Sequence, residues 1–153
     1  MAKIWIIYHT KHGNCKSACE NLKSILSEKF DVSIGDVANI KPEVIAEDFP
    51  QLLIVGSRII VGGPDKKVKK FVNKLGSILQ NPISKAAILY THSLKWESKY
   101  AKMAKILEDN QVVKEVLPTI LNIKMVKTKG PVEPDQDKNI NEFAEKVAEF
   151  ITT

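Results

Sequence analysis

Two rhythms of apolar residues alternate along this chain. The first is short solid runs, as at residues 3–8, where Ile4-Trp5-Ile6-Ile7-Tyr8 is β-branched and aromatic throughout. Such a run predicts a strand buried on both faces. The second is a stripe at helical spacing. Over 14–28 it comprises Cys15, Ala18, Cys19, Leu22, Ile25 and Leu26, one face of an amphipathic helix.

The alternation continues to the C-terminus. A short strand is expected over 31–37, leaving the corner at Phe30, and a short helical segment over 41–50, stopped by Pro50. A second all-apolar strand covers 51–57. A helix over 64–75 has Pro64 in its first turn and turns Val68, Phe71, Val72 and Leu75 inward. A third buried strand spans 85–91. A helix over 96–109 puts Trp96, Tyr100, Met103, Ala104 and Leu107 on one face. One last strand is expected over 116–128, with Pro118 near its start, which suits an edge position. The final helix starts at about 139, where Asn139 and Glu142 have capping-box spacing. Its stripe is Ile140, Phe143, Val147 and Phe150. Solid strands alternating with helices predict an α/β sandwich, a parallel sheet covered on both faces. No repeat, linker or low-complexity tract interrupts it, so residues 1–153 are expected to form one domain.

Composition narrows the class. The chain has 153 residues, 44% hydrophobic and 27% charged, within the globular range. No apolar run approaches the roughly 20 residues that span a bilayer. The run at 4–8 is too short for a signal-peptide core, so a cytoplasmic protein without membrane insertion is expected. The net charge is +5, carried almost wholly by lysine, with Arg58 the only arginine. That balance favours acidic partners or anionic cofactors. Nucleic-acid signatures, such as zinc fingers, clustered arginines or stacking-aromatic motifs, are absent, and no nucleic-acid partner is expected. The run Lys66 to Lys70 reads most simply as the wet face of a helix. Cys15 and Cys19 stand four apart on one helix face, too close for a useful structural disulfide, and are expected as reduced thiols.

The chemistry gathers at one edge. In doubly wound sheets ligands bind beyond the carboxyl ends of the strands. The loops there are 9–14, 57–64 and 91–96. They contain all three histidines, His9, His12 and His92, and the single arginine. In the first loop, Thr10, Asn14 and the amides from His12 to Cys15 suit a dianion before a helix N-terminus. Gly13 allows a turn that other residues resist. The plainer alternative is a helix cap by Thr10 or Asn14. Cys15 is open to two readings, a helix-terminal thiol of lowered pKa or a packed one. Neither the Walker pattern nor G-x-G-x-x-G is present, and no arginine follows Cys15 to clamp a phosphoenzyme. The histidine spacing fixes no metal.

The first loop resembles the flavodoxin phosphate loop, [ST]-x-T-G-N-T, with Thr10, Gly13 and Asn14 matching and His12 and Cys15 in place of hydroxyl residues. The second, "IVGSRIIVGGPDKKVKKFVNKL", resembles the flavodoxin segment in which a strand ends in Gly-Ser and a flavin-contacting loop leads to a helix. The resemblance covers essentially the whole chain. It implies a flavodoxin-like three-layer sandwich with five parallel strands in the order 2-1-3-4-5. It further implies FMN as cofactor, its phosphate held by Thr10, Lys11, His12, Gly13, Asn14 and Cys15. Ser57, Arg58, Ile59, Ile60, Val61, Gly62 and Gly63 would flank the ring on one side, with Ile59 to Val61 as an apolar wall and Gly62 or Gly63 tuning the potential through a peptide hydrogen bond. Thr91, His92, Ser93 and Trp96 would flank it on the other. Arg58 would hold a ring edge or receive an acidic substrate.

The sequence departs from the family in three ways. The second loop has isoleucines where flavodoxins place an aromatic, the third loop lacks the family's glycine-rich form, and the chain is basic where flavodoxins are usually acidic. The reading implied is electron transfer between redox partner proteins, here with acidic surfaces, and no catalytic side chain. Two alternatives stand beside it. One is an FMN-dependent oxidoreductase of the protoporphyrinogen oxidase or quinone reductase type. The other is a flavin-free interaction module.

Overall fold

The computed structural model describes residues 1–60, 63–92, 100–125 and 136–153. Their order is β1 (Lys3–Tyr8), α1 (Asn14–Leu26), β2 (Asp31–Asp36), α2 (Pro42–Asp48), β3 (Leu52–Ile60), β4 (Gly63–Pro64), α3 (Lys66–Ile78), β5 (Ile83–His92), α4 (Ala101–Asp109), β6 (Val113–Val116), β7 (Leu121–Lys124) and α5 (Gln136–Ile151). The main sheet runs β2-β1-β3-β5-β6, every pairing parallel. This is the order 2-1-3-4-5 in terms of its five main strands.

Alternate residues of the central strands feed two cores, because strand side chains point to opposite faces in turn. Ile4, Ile6, Leu52, Ile54, Ala87 and Leu89 pack with the stripes of α1 and α5. Trp5, Ile7, Leu53, Val55, Ile88 and Tyr90 pack with Ile45 of α2, Val68, Phe71, Val72 and Leu75 of α3, and Met103 and Leu107 of α4. A strand serving two cores has no polar side, which is why these segments read as solid apolar runs. No helix among the described residues is long and apolar enough to cross a membrane.

Three details differ from the sequence reading, and one more lies outside the described residues. First, β3 does not end at 57 but continues to Ile60, and Ile59 and Ile60 pair antiparallel with Pro64 and Gly63. Pro64 therefore belongs to this hairpin and not to a helix. The N-cap of α3 is Asp65, whose Oδ1 accepts from the Lys67 N–H at 2.8 Å. Second, α4 is described from Ala101, and the expected start at Trp96 lies outside the described residues.

Third, the last strand is two pieces. β6 pairs with the first half of β5, ending at Ala86 with Val116, and β7 with the second half, starting at Leu89 with Leu121. Two residues of β5 thus face four of the edge chain. Pro118 explains the break: it has no N–H to give the ladder. Leu117 makes the last contact, donating to the Ala86 carbonyl at 2.8 Å. Fourth, α5 is helical from Gln136, so Asn139 sits inside the helix and does not cap it. Its amide donates to Gln136 Oε1 at 3.4 Å.

Tyr90 couples this core to pH. Its side chain is fully buried, and its hydroxyl donates to the Tyr100 carbonyl at 3.0 Å. Burial pushes its pKa up from 10.0 to about 12. Tyr8 is likewise pushed to about 12, by burial and then by Asp36. A raised folded-state pKa means that the folded chain holds the proton longer than the unfolded one. The stabilisation is complete below pH 10 and is lost as pH rises toward 12. For Tyr90 this amounts to about 2–3 kcal/mol. Urea melts should therefore give falling stability between these limits. Tyr90→Phe should flatten part of that fall, leaving the part due to Tyr8. An unchanged slope in the variant would show that Tyr90 does not couple to folding.

Candidate functional site

The reversal of strand order lies between β1 and β3, and α1 starts just beyond the end of β1. Gly13 is the N-cap of α1, in left-handed backbone (φ 84°). It has no side chain with which to cap the helix. The Thr10 hydroxyl accepts from the Gly13 N–H at 2.8 Å, fixing the turn, and the Gly13 carbonyl accepts from Ser17 N–H at 3.0 Å. Thr10 thus shapes the loop instead of capping the first helical turn. Amides of a first turn have no acceptor within their own helix and point out of its N-terminus. A Cβ built on Gly13 would meet nothing within 4 Å, so the space over the turn is open.

A depression of about 20 Å³ lies here, lined by His9, Thr10, Lys11, His12, Asn14, Cys15, Arg58, Thr91 and Met125. Four of the nine carry a basic side chain. The expected first-loop residues thus meet Arg58 and Thr91, from the ends of β3 and β5, at one place. Sequence reasoning missed Met125. It follows β7 and is held by its N–H donating to the His92 carbonyl at 2.8 Å.

Two carboxylates, also missed, position the basic groups. His9 Nδ1 lies 3.1 Å from Asp36 Oδ1 at the end of β2. Arg58 Nε donates to Asp65 Oδ2 at 3.0 Å. Asp65 is 3% exposed. Its own N–H donates to Ser57 Oγ at 2.9 Å, and Ser57 Oγ donates to the Arg58 carbonyl at 3.0 Å. Ser57 and Asp65 therefore lock the hairpin, and Arg58 is held by a buried partner. The signal for Asp65 was present in the sequence: an Asp immediately before a lysine-rich amphipathic stripe is an N-cap pattern.

Other expected residues fall elsewhere. Ile59 is buried in the α3 and α4 core. The cause is the strand alternation, which the extra length of β3 carries past Ser57. His92 ends β5 at this edge but on the other face from Thr91. It is buried, with its ring centroid 6.2 Å from that of Tyr100. Gly63 has φ 118°, and a Cβ there would lie 3.1 Å from Lys102 Cδ. Ile60 is placed by its backbone pairing with Gly63. Val61, Gly62, Ser93 and Trp96 lie outside the described residues.

Cys15 and Cys19 are free thiols and both are buried. The hydrogen bond with the Cys15 thiol, and then burial, push the Cys19 thiol well above its ordinary range. These thiols serve packing: a Cβ on Gly56 would lie 2.7 Å from Cys19 Sγ and 3.2 Å from Cys15 Sγ. Gly56 is thus what lets α1 sit close against β3.

No protein-family model matches the chain, and no curated protein matches it in sequence. Solved structures do match. Flavodoxin 1 from Bacillus cereus aligns with a TM-score of 0.75 at 14% identity, covering 97% of this chain and 98% of that one. A flavodoxin from the domain Archaea aligns with a TM-score of 0.75 at 15% identity, covering 99% of each. The rubredoxin:oxygen oxidoreductase of Desulfovibrio gigas aligns with a TM-score of 0.77 at 14% identity, over 98% of this chain and 36% of that one. With the 2-1-3-4-5 order and the glycine-capped loop at the strand reversal, these matches establish that the chain has the flavodoxin-like fold.

Proposed function

We propose that this chain binds FMN and carries electrons between partner proteins. The observation that carries the reading is the glycine-capped N-terminus of α1. It opens at the switch point of the sheet and is ringed by Lys11, His12 and Arg58. A helix N-terminus attracts a dianion through its amides and its partial positive charge; Lys11 adds to that field, while Arg58, its charge offset by Asp65, offers its remaining N–H groups as donors. The depression is narrow, so a phosphate would rest in its mouth.

In this reading Thr10, Lys11, His12, Gly13, Asn14 and Cys15 hold the phosphate, with Asn14 contributing through its amide. Thr10 uses a lone pair on Gly13, which leaves its hydrogen for a phosphate oxygen. Asp65 keeps Arg58 at the rim. The segments 57–63 and 91–96 are assigned to the ring, with Ser57 locking the hairpin that bears the first of them. Bound FMN would supply reversible electron transfer, and the protein contributes binding, orientation and electrostatics. No described side chain is assigned an acid, base or nucleophilic role.

The test is direct. Purified protein should be yellow, or should quench added FMN fluorescence with one-to-one saturation, and inorganic phosphate should compete at high concentration. A colourless protein with no response to FMN would refute the proposal and leave the flavin-free module. Steady turnover of a quinone or porphyrinogen by the flavin-loaded protein would move it from carrier to enzyme.

A further inference from the structure

A second concavity lies away from the depression, between the segment joining β2 to α2 and the outer face of α3. It is a groove of about 840 Å³. Half-buried Val37 and Ile40, with the edge of the buried Phe71 between them and the helix, give it an apolar floor. Lys67, Lys70 and Lys74 stand along one wall, and Lys41 and Glu43 on the other.

The lysines on α3 share a side of the helix, since positions three and four apart are neighbours, and Phe71 lies between them. Four lysines face one glutamate, all of them exposed, and none of the four is in an ion pair among the described residues. A Cβ on Gly35 would lie 2.9 Å from Ile40 Cγ2, so Ile40 is folded down onto β2. The groove also adjoins the site. The Lys67 N–H is held by Asp65, which holds Arg58 at the rim of the depression.

We propose that this groove is the docking site for an acidic segment of a partner protein, one that lays an apolar side chain against Phe71 while its carboxylates meet the four lysines. Charge complementarity selects the partner's sign, and the apolar floor selects a peptide-like occupant. A nucleic acid fits less well, because the groove is concave and has no arginine fork for phosphate. Docking here does not require FMN; that electrons cross this interface rests on the function proposed above.

The experiment uses the full chain and a synthetic glutamate-rich peptide carrying one tryptophan, followed by amide chemical-shift titration. Shifts should cluster at 37–43 and 67–74 and shrink as salt is raised. A lysine-rich peptide of equal length should give none, and an all-glutamate peptide should bind more weakly. The combined variant Lys67→Glu, Lys70→Glu, Lys74→Glu should lose binding by about tenfold or more while melting as the parent does and keeping the parent's response to FMN. Three results would overturn the proposal: no binding by the parent, shifts spread over the whole lysine-rich surface, or unchanged affinity in the charge-reversed variant. Preferential binding of duplex DNA or anionic vesicles at the same residues would also overturn it. A parent that binds the peptide but not FMN would sink the flavin reading alone.

Discussion

Gly56→Ala is expected to destabilise the protein by about 2–3 kcal/mol, the upper part of the range for overpacking a core. Out of context the change should help, since alanine loses less backbone entropy than glycine in a strand. Here the added carbon would lie 2.7 Å from Cys19 Sγ, 3.2 Å from Cys15 Sγ and 3.3 Å from Tyr8 Cβ. None of these is the loose end of a long chain. Cys19 is fully buried on α1 and Tyr8 is on the neighbouring strand, so relief requires moving the helix away from the sheet. Urea denaturation measures the loss. Cys19→Ala removes the closest obstacle, so the double variant should be more stable than the two single losses predict, by about 1 kcal/mol or more. Strict additivity would show that the Gly56–Cys19 contact is not what makes glycine necessary. The same displacement should weaken FMN binding at the proposed phosphate loop, because α1 presents its N-terminus there.

Thr10→Ala combined with Asn14→Ala is expected to raise the Kd for FMN by about a hundredfold or more. Each residue is assigned a hydrogen bond to a charged phosphate, worth about 1.5–3 kcal/mol, and every 1.4 kcal/mol is about a factor of ten. Thr10 acts twice, since its hydroxyl also accepts from the Gly13 N–H and fixes the turn. Both residues lie outside the packed core, so the fold should survive, with a cooperative melt only slightly below the parent's as the control. Fluorescence titration of parent and variant gives the ratio. Equal affinities would reduce the loop to a turn between strand and helix.

How much of this was legible depended on how local each cause is. The stripes of α1 and α3 and the solid runs of β1, β3 and β5 could be read because burial imposes its period directly on sequence. The break at Pro118 was half legible. The missing N–H argued for an edge, yet whether the chain rejoins the sheet depends on β5 alongside it. Asp65 was written in the chain as a cap. Its bond to Arg58 was not, because that requires the hairpin that brings residue 65 back beside residue 58.

The sequence by itself determined the alternating elements, the two-sided burial of the sheet, the turn at Gly13 and the placement of the basic loops at one edge. These follow from side-chain chemistry and from spacing within a single segment. Only the tertiary structure decided which of those loop residues meet. It brought Arg58 and Thr91 to the first loop and turned His92 to the other face. It also placed Lys41 across a groove from the lysines of α3. Such contacts are set by strand order, register and the parity of each strand, which depend on residues far apart in the chain and leave no mark in any one stretch of it.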